Sequence, residues 1–257
     1  MQTIIKLVII ISLLINMVAL WGFFHYIKYG GSPLGELKRI IIGQTHQPAK
    51  KLSFDEQNAQ LLKIDERSGK DELRVVFLGA SITNRWNLDR DFPKVHMVNR
   101  GVGGQLVDRM TARFKRDVLD LNPRAVIIKF CSINIRPEMP LKVLEDNMAM
   151  MSQLAIVNGI VPIISTIIPA AKAEAHIGDF QVADSLNKFN DWVRNFAKEK
   201  NYPLIDFAKA IGDEESFLPR DCSVDPVHVN DKGYEILTEA ARPVVYEVIG
   251  VKSVNTK

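Results

Sequence analysis

The sequence predicts an α/β domain built on a parallel sheet of about five strands, with helices packed on both of its faces. Three observations carry that reading. After Asp71, short β-rich runs alternate with amphipathic segments of helical length, and such alternation requires right-handed crossovers and a parallel sheet covered on both sides. The 257 residues are 47% hydrophobic and 25% charged, enough apolar material for one well-buried domain plus an appendage. The residues able to do chemistry gather where the strands should end, and the carboxyl edge of a parallel sheet is where sites form.

The chain begins with an apolar segment. Leu7 to Phe24 contains no charged residue, and extended to Ile27 the run reaches the roughly 20 residues that cross a bilayer as a helix. Trp21, Phe23, Phe24, Tyr26 and Tyr29 crowd its C-terminal end, as an aromatic belt at the headgroups would. A cleaved secretory signal is the alternative, with Lys6 as its charged start and Leu7 to Leu20 as its apolar middle. No small-residue cleavage site follows, however, and bulky aromatics stand in its place. Residues 1–29 are therefore read as an N-terminal transmembrane anchor (or signal segment). Lys6 precedes the span and Lys28, Lys38 and Arg39 follow it, so local charge does not favour an outward domain. Long domains translocate largely regardless of such charges, and the expectation is a single-pass membrane protein with its domain on the outer, periplasmic or extracellular, side. Residues 30–70, richer in Gly, Pro, Gln and Lys, read as a tether with a short helix-like stretch around Phe54 to Ile64. Residues 71–257 form the domain. No internal repeat suggests a solenoid.

The first predicted strand, Leu73 to Leu78, runs into Gly79-Ala80-Ser81-Ile82-Thr83, placing a hydroxyl just past its carboxyl end. Serine there is suited to nucleophilic attack and equally to capping or turn formation. Thr83 stands where a Gly-x-Ser-x-Gly elbow needs its second glycine, so the common α/β-hydrolase elbow is disfavoured. The second strand, Val95 to Asn99, leads into Asn99-Arg100-Gly101-Val102-Gly103-Gly104. A dinucleotide loop would need a third glycine where Leu106 stands. Two readings stay open: glycines that leave a backbone N–H approachable, as an oxyanion site requires, or a tight turn needing positive φ. A helix is predicted over Leu106 to Asp120. The third strand, Ala125 to Phe130, runs into Cys131-Ser132-Ile133-Asn134, where Asn134 is either a functional amide or a turn residue. The helix Leu141 to Asn158, the strand Val161 to Ile167, the helix Asp184 to Lys200, the strand Leu204 to Phe207 and the helix Asp231 to Ile249 complete the alternation.

Before that last helix stands Asp225-Pro226-Val227-His228. A carboxylate three residues ahead of a histidine, across a proline-containing turn, can reach imidazole Nδ1–H and leave Nε2 facing a nucleophile. Among the five histidines, His25 belongs to the membrane end, His46 to the tether, and His96 and His176 lack such a partner. No His, Cys and carboxylate cluster completes a metal set around His228, and no cofactor motif is present. Cys131 and Cys222 are too few for a disulfide scaffold. The net charge of +3 comes from 33 basic and 30 acidic residues mixed along the chain, a solvated surface with no basic block for nucleic acid.

Together, Gly79 to Thr83, Asn99 to Gly104, Asn134 and Asp225 to His228 resemble the four sequence blocks of the SGNH (GDSL-type) hydrolases. The likeness covers roughly Arg74 to Ile249. It implies a flavodoxin-like three-layer αβα sandwich, with Ser81 as nucleophile, His228 as base, Asp225 orienting it, and Gly104 and Asn134 joining the Ser81 amide in an oxyanion hole. Three positions depart from the pattern: Ala80 replaces an acidic residue, Ser132 a glycine and Ile135 an aspartate. None removes a catalytic group; all bear on the shape of the acyl pocket. The expected activity is carboxylic-ester hydrolysis through an acyl-enzyme with no metal or organic cofactor. The resemblance suggests acyl esters of sugars, cell-envelope glycans or lysophospholipids as substrates. An acyltransferase using the same serine and a catalytically silent anchored binding module are the alternatives. The sequence is silent on oligomeric state.

Overall fold

The structure, a computed structural model, describes residues 52–251 except Lys70 and Glu72, together with Ser12, Asn16, Met17 and Leu20. Apart from those four positions, the expected membrane anchor lies outside the described residues, as does the first part of the tether. Among the described residues no helix is long and apolar enough to cross a membrane. The chain divides into two compact units after Leu52, and the second, Ser53–Lys257, carries the α/β domain.

That unit opens with α1, Phe54–Ser68. Ser53 and Glu56 close a capping box over its first turn, with Glu56 N–H donating to Ser53 Oγ at 3.2 Å and Ser53 N–H to Glu56 Oε2 at 2.7 Å. The tether expected to run to residue 70 is corrected here, because α1 is docked on the domain. Asn58 is buried; its Nδ2 donates to the Arg116 carbonyl at 2.8 Å and its Oδ1 accepts from Arg100 Nη2 at 2.5 Å. Asp65 takes both Nη groups of the buried Arg74, at 2.7 and 2.6 Å. Docking through polar side chains leaves little apolar periodicity in the sequence, which is why the segment read as a tether.

Strand β1 (Arg74–Gly79) is buried at every position. Two short helices follow, α2 (Ser81–Arg85) and α3 (Leu88–Asp91), then β2 (His96–Gly101). The single helix expected over Leu106 to Asp120 is instead α4 (Val107–Ala112), α5 (Phe114–Asp117) and a 3-10 turn at Leu119–Leu121. The break falls at Arg113, whose backbone sits at φ −99°, ψ 2°. Its guanidinium turns inward to the carbonyls of Gly79 at 3.1 Å and Arg100 at 2.9 Å and is held by Asp117 at 2.6 Å. Next come β3 (Ala125–Ile128), α6 (Leu141–Val157) and β4 (Val161–Ser165). A small antiparallel hairpin, β5 (His176–Ile177) with β6 (Phe180–Gln181), was not anticipated. The chain finishes with α7 (Val182–Lys200), β7 (Leu204–Ile205), α8 (Phe207–Ile211) and α9 (Asp231–Ile249).

The five main strands form one parallel sheet in the order β2-β1-β3-β4-β7. This is the doubly wound flavodoxin-like order. Period-two alternation sends Val76, Leu78, Val126, Ile128 and Ile164 into one core with residues of α4, α6 and α7. Val75, Phe77, Ala125, Ile127 and Ile163 enter a second core with residues of α3, α8 and α9. The expected three layers are thus present. From β1 the chain winds first to β2 on one side and later to β3 on the other, so the crevice where ligands bind opens between the carboxyl ends of β1 and β3.

Candidate active site

Ser81 is the first residue of α2, two residues beyond the end of β1. Several contacts hold this turn against the end of β2. Asn99 Nδ2 donates to the Thr83 carbonyl at 2.6 Å while Asn99 Oδ1 accepts from Gly101 N–H at 2.9 Å. Asn84 Nδ2 reaches the Gly101 carbonyl at 2.8 Å. From α9, Tyr234 O–H donates to the Ile82 carbonyl at 2.9 Å; burial pushes this phenol up to about 12, so it stays protonated. The nucleophile position is therefore set by polar contacts from β2 and α9.

The Asp225–His228 loop closes on Ser81 from the start of α9. A bridge between Ser223 and Val229 pinches its base. Asp225 Oδ1 accepts the N–H groups of Val227 at 2.9 Å and His228 at 2.8 Å, which fixes the carboxylate beneath the imidazole. His228 Nδ1 lies 2.9 and 2.8 Å from the two Asp225 oxygens, and Nε2 lies 2.9 Å from Ser81 Oγ. The Val227 N–H first, then the imidazole and N–H of His228, hold the Asp225 carboxyl below the usual carboxylate range, against a smaller opposing effect of burial. An ionised carboxylate only accepts, so Nδ1 carries the hydrogen and Nε2 is left to accept the Ser81 hydroxyl proton. The residues read from the sequence at 81, 225 and 228 thus form one continuous hydrogen-bond chain.

Gly104 lies on the same pocket wall at φ +67°, a left-handed conformation that suits glycine. The Ser81 and Gly104 amides have no hydrogen-bond partner among the described residues. Asn134 is placed differently. It is fully buried, at the end of the 3-10 turn Ser132–Asn134 that follows β3, behind the wall made by Cys131, Ser132 and Ile133. Its Oδ1 accepts from Val107 N–H at 3.0 Å, and its Nδ2 donates to the Cys131 carbonyl at 3.1 Å. One Nδ2 hydrogen is thereby used, and the side chain ties the start of α4 to the end of β3.

The pocket beside Ser81 has a volume near 520 Å³ and is lined mostly by apolar atoms, with Ile133, Ile135, Val182 and Val227 prominent. Cys131 lies on its wall, and both cysteines are buried and free. Arg85 and Arg136 also line it, and sequence reasoning missed both. Nothing in their local sequence marks them; only the position of Arg136, two residues past Asn134 at a strand end, could have flagged it. Also missed was Arg113, whose spacing of four from Asp117 on a helix was the available signal. Among the described residues no cluster of His, Cys, Asp and Glu could hold a metal ion.

Residues 77–236, from β1 into α9, match the model of the GDSL-like Lipase/Acylhydrolase family. A putative acylhydrolase from Bacteroides fragilis has a similar structure, with a TM-score of 0.67 and 25% identity, covering 80% of this chain and 97% of that one. A GDSL-like lipase from Bacteroides thetaiotaomicron gives a TM-score of 0.63 at 22% identity, covering 76% of this chain and 99% of the other, a likeness of fold. An uncharacterized lipoprotein of Bacillus subtilis is 26% identical over 209 residues, 64% of this chain and 86% of that protein.

Proposed function

The chain belongs to the GDSL-like lipase/acylhydrolase family, and on that premise we propose that it is a serine carboxylic-ester hydrolase working through an acyl-enzyme. The observation that carries this reading is the unbroken chain from Asp225 through His228 to Ser81 Oγ at the mouth of an apolar pocket. Ser81 Oγ attacks the ester carbonyl while His228 Nε2 takes the hydroxyl proton. Asp225 holds the imidazole in the required tautomer and stabilises the imidazolium that forms. The carbonyl oxygen, now an oxyanion, is met by the free N–H groups of Ser81 and Gly104 and by the remaining Nδ2 hydrogen of Asn134. Collapse breaks the bond to the alcohol, which leaves with the proton from His228. Water then enters, gives its proton to His228 and cleaves the acyl-serine ester, restoring Ser81. Side chains and water close the cycle.

The apolar wall suits the hydrocarbon part of an acyl ester of a glycan or lipid. The apolar N-terminal segment and the description of the Bacillus subtilis relative as a lipoprotein support a membrane-tethered enzyme working on envelope esters from the outer side.

Ser81→Ala tests the reading. With p-nitrophenyl acyl esters of graded chain length, turnover should fall by about 10⁴-fold or more while circular dichroism is unchanged. A folded Ser81→Ala protein that keeps parent-like turnover places the nucleophile elsewhere.

A further inference from the structure

The wall of the pocket beside Ser81 includes two arginines, the exposed Arg85 and the half-buried Arg136, that the hydrolytic chemistry does not use. Its lining includes Arg85 and Arg136 and no carboxylate, the Asp225 side chain being engaged by His228. Neither guanidinium has a hydrogen-bond or ion-pair partner among the described residues. The other inward-turned arginines are all anchored. Arg74 is held by Asp65, Arg113 by Asp117, Arg194 by Asp206, and Arg100 donates to Gln57 and Asn58. Nε is buried and unmet in Arg74, Arg100 and Arg113 too, but their Nη groups are bonded. Arg136 has a buried, unmet Nε and no bond through any nitrogen. Buried donors are normally satisfied, and the partner that fits a guanidinium fork is a planar or tetrahedral anion held by paired N–H···O bonds.

We propose that Arg136, with Arg85 beside it, is a specificity-determining residue that binds a second, anionic group of the substrate, so that the preferred esters carry a carboxylate or phosphate besides the scissile bond. This deepens the esterase reading and rests on it. The apolar wall then packs the hydrocarbon spacer between the ester and the anion. Electrostatic attraction in this partly desolvated pocket acts on ground state and transition state alike, so it lowers KM rather than raising kcat.

Four esters test the proposal on the full chain. The p-nitrophenyl monoester of adipic acid is compared with p-nitrophenyl hexanoate, which places an anion on the acyl side or omits it. 4-Acetoxybenzoate is compared with its methyl ester, which does the same on the alcohol side. The parent should favour the anionic member of at least one pair by about tenfold in kcat/KM, through KM, and the preference should shrink as ionic strength rises. Arg136→Gln should bring that ratio toward one, and Arg136→Lys should restore part of it. Fluorophosphonate labelling of each variant at Ser81 verifies that the site is assembled, so a misfolded variant is not mistaken for lost recognition. A parent that turns over both neutral esters as fast as their anionic partners overturns the proposal and leaves the esterase reading standing. So does an anion preference that survives intact in labelled Arg136→Gln. Absence of both labelling and turnover in the parent overturns the esterase reading and this proposal with it.

Discussion

Asn134 has one observed duty in this site and one proposed for it, and the two can be separated. Its bonds to Val107 N–H and the Cys131 carbonyl make it a fastener between α4 and the end of β3, so Asn134→Ala should lower the melting temperature whatever its chemistry. If its second Nδ2 hydrogen also meets the oxyanion, kcat of the folded fraction should fall by about 10² to 10³-fold with KM within a few-fold. A destabilised Asn134→Ala with parent-like kcat would remove Asn134 from the oxyanion site and leave the work to the amides of Ser81 and Gly104. Asp225 has a simpler role. Its depressed carboxyl is ionised throughout the neutral range, so Asp225→Asn removes a standing charge and the acceptor that fixes the tautomer. kcat should drop by about 10⁴-fold with the fold intact; a loss below tenfold would mean that the imidazole is oriented by something else.

Among the elements, α1 is the one whose role the sequence concealed. Its inner face packs Leu61 against the core, but it docks largely through polar groups, supplying Asn58 and Asp65 to the buried Arg100 and Arg74. Arg74 is 1% exposed and Asp65 19%, so removing the carboxylate strands a buried cation. For fully buried pairs that costs about 3–5 kcal/mol, and the partial exposure of Asp65 places this pair below that range. The Arg74 guanidinium holds the Asp65 carboxyl below its ordinary range, against a smaller effect of burial. A carboxyl depressed in the folded state contributes stability above its unfolded value, about 3.9, and loses it as pH falls through the folded value. Asp65→Asn should therefore be less stable than the parent at pH 7, and the gap should narrow below about pH 4. A gap that is constant with pH in chemical denaturation would show that the pair contributes nothing. A chain beginning at Ser53 should fold, whereas one beginning at Asp71 should be markedly less stable.

At the scale of the whole molecule, the sheet was legible because parallel strands buried on both faces write themselves as short apolar runs, and β1 to β4 begin within one residue of their predicted starts. Ser81 and the Asp225–His228 turn were legible because their chemistry depends on residue type at a strand end or a fixed spacing. What could not be read depends on contacts between distant segments. The break at Arg113 follows from carbonyls on two strands, the docking of α1 from two cations on the strands that follow it, and the place of Arg85 and Arg136 on the pocket wall from the side-by-side carboxyl ends of β1 and β3. The central claim is that these layers converge to make Ser81 Oγ a nucleophile. The most direct measurement is labelling of the intact protein with a fluorophosphonate, followed by peptide mapping. One adduct per chain, located on Ser81, lost in Ser81→Ala and strongly slowed in His228→Ala, is the predicted result. An adduct on another residue, or labelling that persists in folded Ser81→Ala, would contradict the account.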